Sequence, residues 1–494
     1  MQLPFGEWLP DQPEHLNPGA NVATNVYHAS TSYKPVKGLV AYSGASNVTQ
    51  NAKGAGSFRD NTNTVFTFVG TKDNIYKLTS GTFSSVKGSC TVSGGDTDFF
   101  TFTQFGQYII ASNGVNAPMY YLMGTSSTFA TLQSLVTSSG SGTVPAKFRV
   151  SGVIRDFLVT GNIENAKNRV AWSGLNDIST WEAGVSSSDT QDLPGSGGQV
   201  VAITSGEVGY VFRQNQIIRM DFVGGNTVFR FSVISPNRGA VYGQTVAQDN
   251  RQIFFYADDG FFQINGDQVL PIGAEKVNRF FDSDLNKAYT DRITAAVDPF
   301  NTLVIWLYPS KLNPNTTGIC DRLLIYNYVT QKWSVANVKA SQIFKQFVVV
   351  NTVELMDIIS ENLDDINISL DSAYWTSGNL YLGAVDENFK AAIFSGKALE
   401  AELETTETEV FPGFRANITG VRPIVDATSN VVLKTRDKLA DTATSSSSST
   451  INSSGIAPVR QSGRYMRANV KIPAESLWTH AQGIDLTASQ GGSR

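Results

Sequence analysis

The sequence predicts an all-β protein, and a β-propeller of six to eight blades is the architecture that fits it best. Helical periodicity is nearly absent, whereas short runs rich in Val, Ile, Phe, Tyr and Thr recur between clusters of Gly, Asn, Asp and Ser. Two-strand units repeat about every 40 to 55 residues, which is the length of one four-stranded blade. The alternative is a pair of β-sandwich or barrel domains, whose strands would follow one another at about 8 to 12 residues.

The first element, residues 1–58, is predicted to be an extended N-terminal arm that leads into the first strand. Five prolines fall within it, at positions 4, 10, 13, 18 and 35. Proline has no backbone N–H and interrupts helices and central strands, so the segment is expected to lie along a surface. We expect this arm to pack on a neighbouring subunit.

The second element, residues 59–400, is predicted to be the propeller. Its clearest hairpin is VFTFVGTKDNIYKL at 65–78, where two alternating strands flank a polar turn and place one face inward and one outward. A blade with two apolar faces must stack between neighbours, and closing the ring protects the strand edges. Similar units follow at 99–114, 149–162, 208–222, 251–266, 303–309 with 323–335, and 374–385.

The third element, residues 401–494, is predicted to be a β-rich segment. Strand-like runs stand on both sides of the stretch TSSSSSTINSSG, whose serine run at 445–449 indicates a flexible loop. The segment forms either a separate C-terminal β-domain or the closing part of the ring.

Composition and charge exclude several classes of function. The chain has 494 residues, more than one hydrophobic core usually serves, and its formal charge of −5 argues against a nucleic-acid-coating role. No apolar run is long enough to span a membrane and the start lacks a signal-peptide pattern, so neither anchoring nor secretion is expected. Residues 354–409 carry thirteen acidic side chains against two lysines, and residues 413–494 carry ten basic against five acidic. This contrast suits either subunits that attract one another or two solvated surfaces.

The titratable residues offer no recognisable metal, cofactor or catalytic site. The histidines His15, His28 and His480 and the cysteines Cys90 and Cys320 lack the spacing of zinc ligands. Two cysteines cannot build a disulfide framework, so a reducing compartment is the simplest interpretation, and whether they interact is left open. The nucleophile elbow, phosphate-binding loop and dinucleotide fingerprint are missing. We therefore predict no catalytic, metal-binding or cofactor-binding residues, no cofactor and no enzymatic activity.

Glycoside hydrolysis is the enzymatic alternative, because propellers often host it and it needs only two carboxylates at a defined separation. Asp258 with Asp259, or Asp364 with Asp365, would supply such a pair. Both pairs stand beside turn signals, in ADDGFF and ENLDDIN, where aspartates commonly accept hydrogen bonds from nearby backbone amides. A structural role in turns is the preferred interpretation.

An aromatic segment raises the question of sugar binding. SGLNDISTW at 173–181 resembles the sialidase Asp-box, but Asp177 is one residue too close to Trp181 and no glycine separates them. We expect Trp172 and Trp181 to be apolar anchors between blades, because a large aromatic side chain buries much surface. Sugar binding is the alternative for both.

Three arginines raise the question of nucleic-acid binding. Arg213, Arg219 and Arg230 alternate with aromatic residues in VFRQNQIIRMDFVGGNTVFRF, which would suit stacking on bases. Period-two alternation explains the same spacing as strands with polar residues outside and apolar residues inside. The second interpretation is preferred and predicts that all three arginines face outward.

Four stretches of the sequence resemble tail proteins of short-tailed bacteriophages and prophages. The first is residues 5–45, which open with FGEWLPDQPEHLNPGAN and its W-x-P-D pattern. The second is RVAWSGLNDISTWE at 169–182, and the third runs from IIRMDF to VNRFF at 217–281. The fourth is the C-terminal run from TGVRPIVDA to HAQGIDL, 419–486. They are spread along most of the length of the chain, from residue 5 to residue 486, and the chain resembles tail hub or nozzle proteins, including packaged-DNA stabilisation proteins.

The resemblance implies a virion structural protein located in the phage tail after synthesis in the host bacterial cytoplasm. It implies a homo-oligomer, expected to be a hexamer, that docks below the head-to-tail adaptor protein and carries tail fibre or spike proteins. Such a ring continues the DNA channel and helps retain the packaged genome, which passes without sequence-specific binding. We expect the acidic segment to suit a channel wall along which DNA slides. The alternatives are a phage adhesin that binds glycans and, further, a glycoside hydrolase.

Overall fold

The computed structural model describes residues 1–15, 17–42, 47–225, 227–249, 252–313, 319–348 and 379–492. Within these residues nearly all regular structure is β, arranged largely as small antiparallel sheets that follow one another along the chain. This arrangement confirms the predicted all-β propeller fold. The hairpin predicted at 374–385 begins outside the described residues.

The predicted N-terminal arm contains five short strands. All five pair with other strands of the same chain, although they precede the propeller in sequence. These strands are β1 (Gln2–Pro4), β2 (Val22–Thr24), β3 (Val26–Ala29), β4 (Ser32–Pro35) and β5 (Lys37–Ala41).

Five four-stranded sheets come next, and in each of them every strand pairs antiparallel with the following strand of the sheet. Such meanders form where apolar residues occupy both faces and short turns reverse the chain. The first two sheets are β6 (Gly54–Arg59), β7 (Val65–Gly70), β8 (Ile75–Thr79) and β9 (Thr82–Ser85), then β10 (Thr101–Phe105), β11 (Tyr108–Ser112), β12 (Met119–Leu122) and β13 (Ala130–Thr131). Helix α1 (Leu132–Ser139) and strand β14 (Ser141–Gly142) follow.

The third to fifth sheets continue the same pattern. The third is β15 (Phe148–Ile154), β16 (Phe157–Ile163), β17 (Ala166–Trp172) and β19 (Asp189–Asp192), with β18 (Thr180–Trp181) paired to β14 instead. The fourth is β20 (Val200–Ile203), β21 (Val208–Arg213), β22 (Ile217–Phe222) and β23 (Phe229–Ser235). The fifth is β24 (Ala247–Asp249), β25 (Gln252–Ala257), β26 (Gly260–Asn265) and β27 (Gln268–Pro271), followed by helix α2 (Asn278–Asp284). No helix in the described ranges has the length and hydropathy needed to cross a membrane.

A sixth and a seventh sheet share one long strand. The sixth is β28 (Thr294–Asp298), β29 (Leu303–Tyr308), β30 (Cys320–Asn327) and the first half of β31 (Lys332–Val348). The second half of β31 pairs with β32 (Asn379–Asp386), which pairs with β33 (Ala391–Ala398). The fourth strand of the seventh sheet is β5 from the N-terminal segment, whose Val40 lies opposite Ile393. A strand from the N-terminal segment therefore completes a sheet whose other strands are β31, β32 and β33.

The terminal strands form two further sheets beside the propeller. In one, β42 pairs with β1, β4 and β36, while β3 pairs with β4 and β40 with β36. In the other, the order is β2, β34, β41 and β37, with short additions from β35, β38 and β39. β2 also pairs parallel with β31, with Thr24 opposite Val335, so this sheet is continuous with the sixth. Their ranges are β34 (Ala401–Glu404), β35 (Thr408–Glu409), β36 (Ala416–Val425), β37 (Asn430–Arg436), β38 (Thr444–Ser445), β39 (Ser449–Thr450), β40 (Gln461–Gly463), β41 (Tyr465–Ile472) and β42 (Ala481–Gln490).

One hydrophobic core joins these terminal sheets to the propeller. It contains Trp306 and Trp333 of the sixth sheet, stacked with ring centroids 5.7 Å apart, and Phe261 of the fifth. The same cluster includes Leu433 and Ile484 of the terminal sheets, both fully buried. Because the apolar contact is continuous, we expect the propeller and the terminal sheets to behave as one rigid body.

Candidate functional site

A cavity of about 570 Å³ lies where the sheets converge. It is lined by one strand from each of seven sheets, namely β6, β10, β15, β20, β24, β28 and β31. This is the placement that a propeller gives to the first strand of each blade. Both apolar and polar side chains line the cavity. The polar ones include Thr103, Gln104, Ser151, Thr204, Gln248 and Lys345.

Residues from two distant segments close one end of this cavity. The Gln244 side chain donates a hydrogen bond to the Lys53 carbonyl oxygen at 3.0 Å, across a sequence separation of 191 residues. The buried Lys53 ammonium contacts the Asp96 carbonyl oxygen. Burial, with a smaller effect of the nearby Arg292, lowers the pKa of Lys53 to about 8. This end is therefore a set of partnered polar groups.

The other end carries a second lysine that is also partnered. The Lys345 ammonium donates to the Gln248 carbonyl oxygen at 3.0 Å and lies 3.9 Å from an Asp249 carboxylate oxygen. Burial lowers the pKa of Lys345, and the Asp249 charge opposes that effect. The Arg59 guanidinium lies 4.1 Å from the centre of the Phe347 ring. The cavity can thus accept a small polar molecule, but its charged groups already have partners.

The first carboxylate pair proposed for glycoside hydrolysis, Asp258 with Asp259, does not line this cavity. Asp259 lies in the turn between β25 and β26, where its carboxylate accepts hydrogen bonds from Arg238 at 2.5 to 3.0 Å. Asp258 occupies the same exposed turn. Asp364 and Asp365 lie outside the described residues. Asp258 and Asp259 therefore lie in a turn, as predicted, but Asp259 pairs with the Arg238 guanidinium rather than with nearby backbone amides.

The Asp-box-like loop is a structural turn. Asp177 accepts hydrogen bonds from the Ser179 amide at 2.8 Å and from the Thr180 hydroxyl at 2.6 Å. Burial alone would raise the pKa of Asp177, but these hydrogen bonds outweigh it and lower the pKa. Trp172 lies in the core between the third and fourth sheets, and Trp181 lies in the core between the second and third. Both tryptophans are the predicted anchors between sheets, and neither is exposed for stacking on a sugar.

The prediction that three arginines face outward is wrong for Arg213. Its side chain is only 1% exposed and donates to the carbonyl oxygens of Pro194, Gly195 and Gly198 at 2.7 to 3.1 Å. Alternation fails here because both faces of β21 are buried between neighbouring sheets, so no face of the strand meets solvent.

The other two arginines lie nearer the surface, and each contacts a carboxylate. Arg219 pairs with Asp221 at 2.8 Å and with Asp267 at 2.6 Å. Arg230 is two-thirds exposed and lies 3.6 Å from Asp221. Both positions fit the preferred interpretation of polar residues outside an apolar sheet.

Oppositely charged parts of the C-terminal sequence pair within the chain. Glu404 lies 2.6 Å from the Lys434 ammonium and 3.0 Å from the Arg467 guanidinium, and Glu407 contacts the Arg436 guanidinium. Glu404 and Glu407 are almost fully buried. For these two residues the predicted channel-wall role is wrong, because their charges are neutralised inside the protein. Residues 354–378 of the acidic segment lie outside the described residues.

The histidines are dispersed, and no group of at least three metal-ligating side chains occurs in the described part of the chain. Burial, together with the Lys332 ammonium, lowers the pKa of His28 to about 4. Each histidine ring lies near a charged side chain. His15 Nδ1 is 4.0 Å from a Glu407 carboxylate oxygen, and His480 Nδ1 is 3.2 Å from an Asp426 carboxylate oxygen. His28 Nε2 is 3.1 Å from the Lys332 ammonium.

The two cysteines are free thiols and both are buried. Cys90 donates to the Phe129 carbonyl oxygen in the first two sheets, whereas Cys320 donates to the Arg292 carbonyl oxygen beside the sixth sheet. Burial raises the pKa of both thiols. Neither cysteine is poised as a thiolate nucleophile.

Sequence reasoning missed a contact that we call the terminal junction, formed by Trp8, Asp11, Arg279 and Phe280. The Trp8 and Phe280 rings meet edge to face with centroids 4.8 Å apart. Asp11 accepts hydrogen bonds from the Arg279 and Phe280 amides at 2.9 and 2.8 Å. The W-x-P-D pattern was the available signal, because it places an aromatic and a capping carboxylate in one turn. Its partner helix α2, more than 260 residues away, was not predictable from the pattern.

Comparisons with known proteins identify no family for this chain. No family model matches it, and no curated protein matches it. The extracellular domain of a hybrid two-component system from B. thetaiotaomicron is similar in fold, with 11% identity and a TM-score of 0.39, over 76% of this chain and 39% of that chain. The WD40 domain of Neurospora crassa Pan2 has 9% identity and a TM-score of 0.38, over 75% of this chain and 97% of that one. A chain of the mitotic checkpoint complex has 9% identity and a TM-score of 0.35, over 75% and 98%. Structural similarity with identities and TM-scores this low supports no inference about function.

Proposed function

We propose that this chain is a structural subunit of a short-tailed bacteriophage tail, of the hub or nozzle type. The observation that carries the proposal is that three of the stretches resembling such proteins meet in space. Trp8 from the first stretch packs on Phe280 at the end of the third, and Tyr33 from the first stretch lies opposite Ala481 in the fourth. Segments that contact one another in the fold are what a shared assembly architecture would retain.

Ring closure within the chain supports a mechanical role. Seven strands line the central cavity, which we interpret as a propeller of seven blades, and β5 completes the seventh sheet. A closed ring whose termini are held by β1 and β42 has few free edges from which to unravel. Such a body suits a tail part that must withstand the pressure of a packaged genome.

The channel for DNA has to lie between copies of the chain. The cavity of about 570 Å³ inside one chain is far too small for a duplex, whose major groove alone is about 12 Å wide. A hexameric ring of these chains below the head-to-tail adaptor would enclose a wider passage and leave outward surfaces for fibres or spikes. The formal charge of −5 would let DNA slide without tight contacts.

Loss of the protein from particles tests this proposal. An amber codon placed early in its gene, in a phage grown on a non-suppressing host, should give heads that package DNA and then lose it to added nuclease. Supplying the chain from a plasmid should restore retention. Intact heads with normal tails that fail only to adsorb would favour the adhesin, and particles that adsorb but fail to cleave host glycan would favour the glycosidase.

A further inference from the structure

An apolar groove of about 500 Å³ lies between the sixth and seventh sheets. The side chains of β29, β30, β32 and β33 form its walls, including Leu303, Ile305, Leu323, Leu380, Leu382 and Phe394. This volume is within the range of protein sites that bind ligands or side-chain anchors. We call it the edge groove, because β5 borders it at Lys37.

Two large apolar side chains stand exposed beside the edge groove. Phe300, in the turn that lines one side, is 68% exposed. Leu477 is 92% exposed and precedes Trp478, which lines another side. A single exposed leucine is ordinary, but two exposed apolar residues flanking an apolar groove mark an interaction surface.

The edge groove adjoins a strand edge that has no partner among the described residues. β5 pairs with β33 on one side only. The Tyr42 amide, just past the end of β5, donates to the Ala391 carbonyl oxygen at 3.0 Å, so the amides of Leu39 and Ala41 face the opposite side. An open edge of this kind is the usual template for adding a strand from another chain.

The charge at this edge selects the kind of partner. Lys34 and Lys37 line the edge groove and form no ion pair within the described part of the chain. Asp298, the acidic residue of the lining, already accepts hydrogen bonds from the Phe300 and Asn301 amides at 3.1 and 3.3 Å. Because two lysines face one carboxylate in the lining, the edge groove carries a net positive charge, which complements an acidic ligand.

We propose that the open edge of β5 and the edge groove bind an acidic, apolar peptide segment of a partner protein as an added β-strand. Backbone hydrogen bonds to β5 would align the segment, an apolar side chain would enter the edge groove, and acidic side chains would meet Lys34 and Lys37. This inference goes beyond the tail proposal and does not depend on it.

Fluorescence anisotropy with the full chain tests the proposal. The probe is a short labelled peptide that alternates acidic and apolar residues, compared with a peptide in which lysine replaces each acidic residue. We expect saturable binding of the acidic peptide only. Replacing Lys34 and Lys37 together by Glu should weaken that binding about tenfold and improve binding of the basic peptide. The matched control, Lys72→Glu with Lys438→Glu, makes the same charge change at exposed sites elsewhere and should leave binding unchanged.

A change in the peptide backbone tests strand addition without altering the protein. An added strand presents only alternate amides to β5, so N-methylation of one alternate set should abolish binding while methylation of the other should be tolerated. Equal effects of both sets would overturn the proposal. Equal binding of acidic and basic peptides, no binding of either, or equal loss in the control variant would also overturn it.

Discussion

Replacing Trp8 by alanine should release the N-terminal segment from α2. The indole is 3% exposed and packs edge to face on Phe280. Burial of about 200 Å² of aromatic surface at about 25 cal/mol per Å² corresponds to about 5 kcal/mol. Part of the cavity will close, so we expect a loss of about 3 to 5 kcal/mol for Trp8→Ala and about 1 to 2 kcal/mol for Trp8→Phe.

Hydrogen exchange is the suitable assay, because a chain of this length is not expected to unfold in one step. The opening free energy should fall for amides in β1, β2 and α2 and should stay the same in the second and third sheets. Leu477→Ala, at a 92% exposed position, is the control and should change it by less than about 0.5 kcal/mol. A Trp8→Ala variant that exchanges like the parent at β1 and α2 would refute this reasoning.

Three further predictions concern buried polar groups. Arg213→Met leaves three backbone carbonyl oxygens without their donor, and we expect a loss of about 2 to 4 kcal/mol by urea denaturation; an unchanged midpoint would show that water replaces the guanidinium. The pKa of His28 is about 4 when folded against 6.5 ordinarily, so the unfolded chain binds more protons below 6.5. Stability should therefore fall as the pH drops from 6.5 toward 4, and His28→Gln should flatten that slope. Cys90 and Cys320 should resist iodoacetamide in the native chain and react in urea, and native labelling at either site would contradict their burial.

Local sequence was sufficient to predict the strands. The hairpin predicted at 65–78 forms as β7 and β8, and those predicted at 99–114 and 208–222 form as β10 with β11 and β21 with β22. Each depends on alternation and a turn a few residues long, and both signals are contained in the same short window. Asp258 and Asp259 lie in the turn between β25 and β26 that the same signals predict.

Long-range pairing was not predictable from local sequence. β33 pairs with β5 across more than 350 residues, and β42 pairs with β1 across about 480. Alternation indicates which face of a strand is apolar but does not identify which strand will occupy its edge. Arg213 shows a second limit, because a strand buried on both faces gives no outward position to predict.

The central proposal is that several copies of this chain form a ring in a phage tail. Cryo-electron microscopy of virions of the phage whose genome encodes the chain tests this proposal most directly. We expect density for several copies arranged around the DNA path below the head-to-tail adaptor, with each propeller and its terminal sheets fitting as one body. Density confined to the distal tips of fibres, or no density for this chain in the particle, would contradict the account.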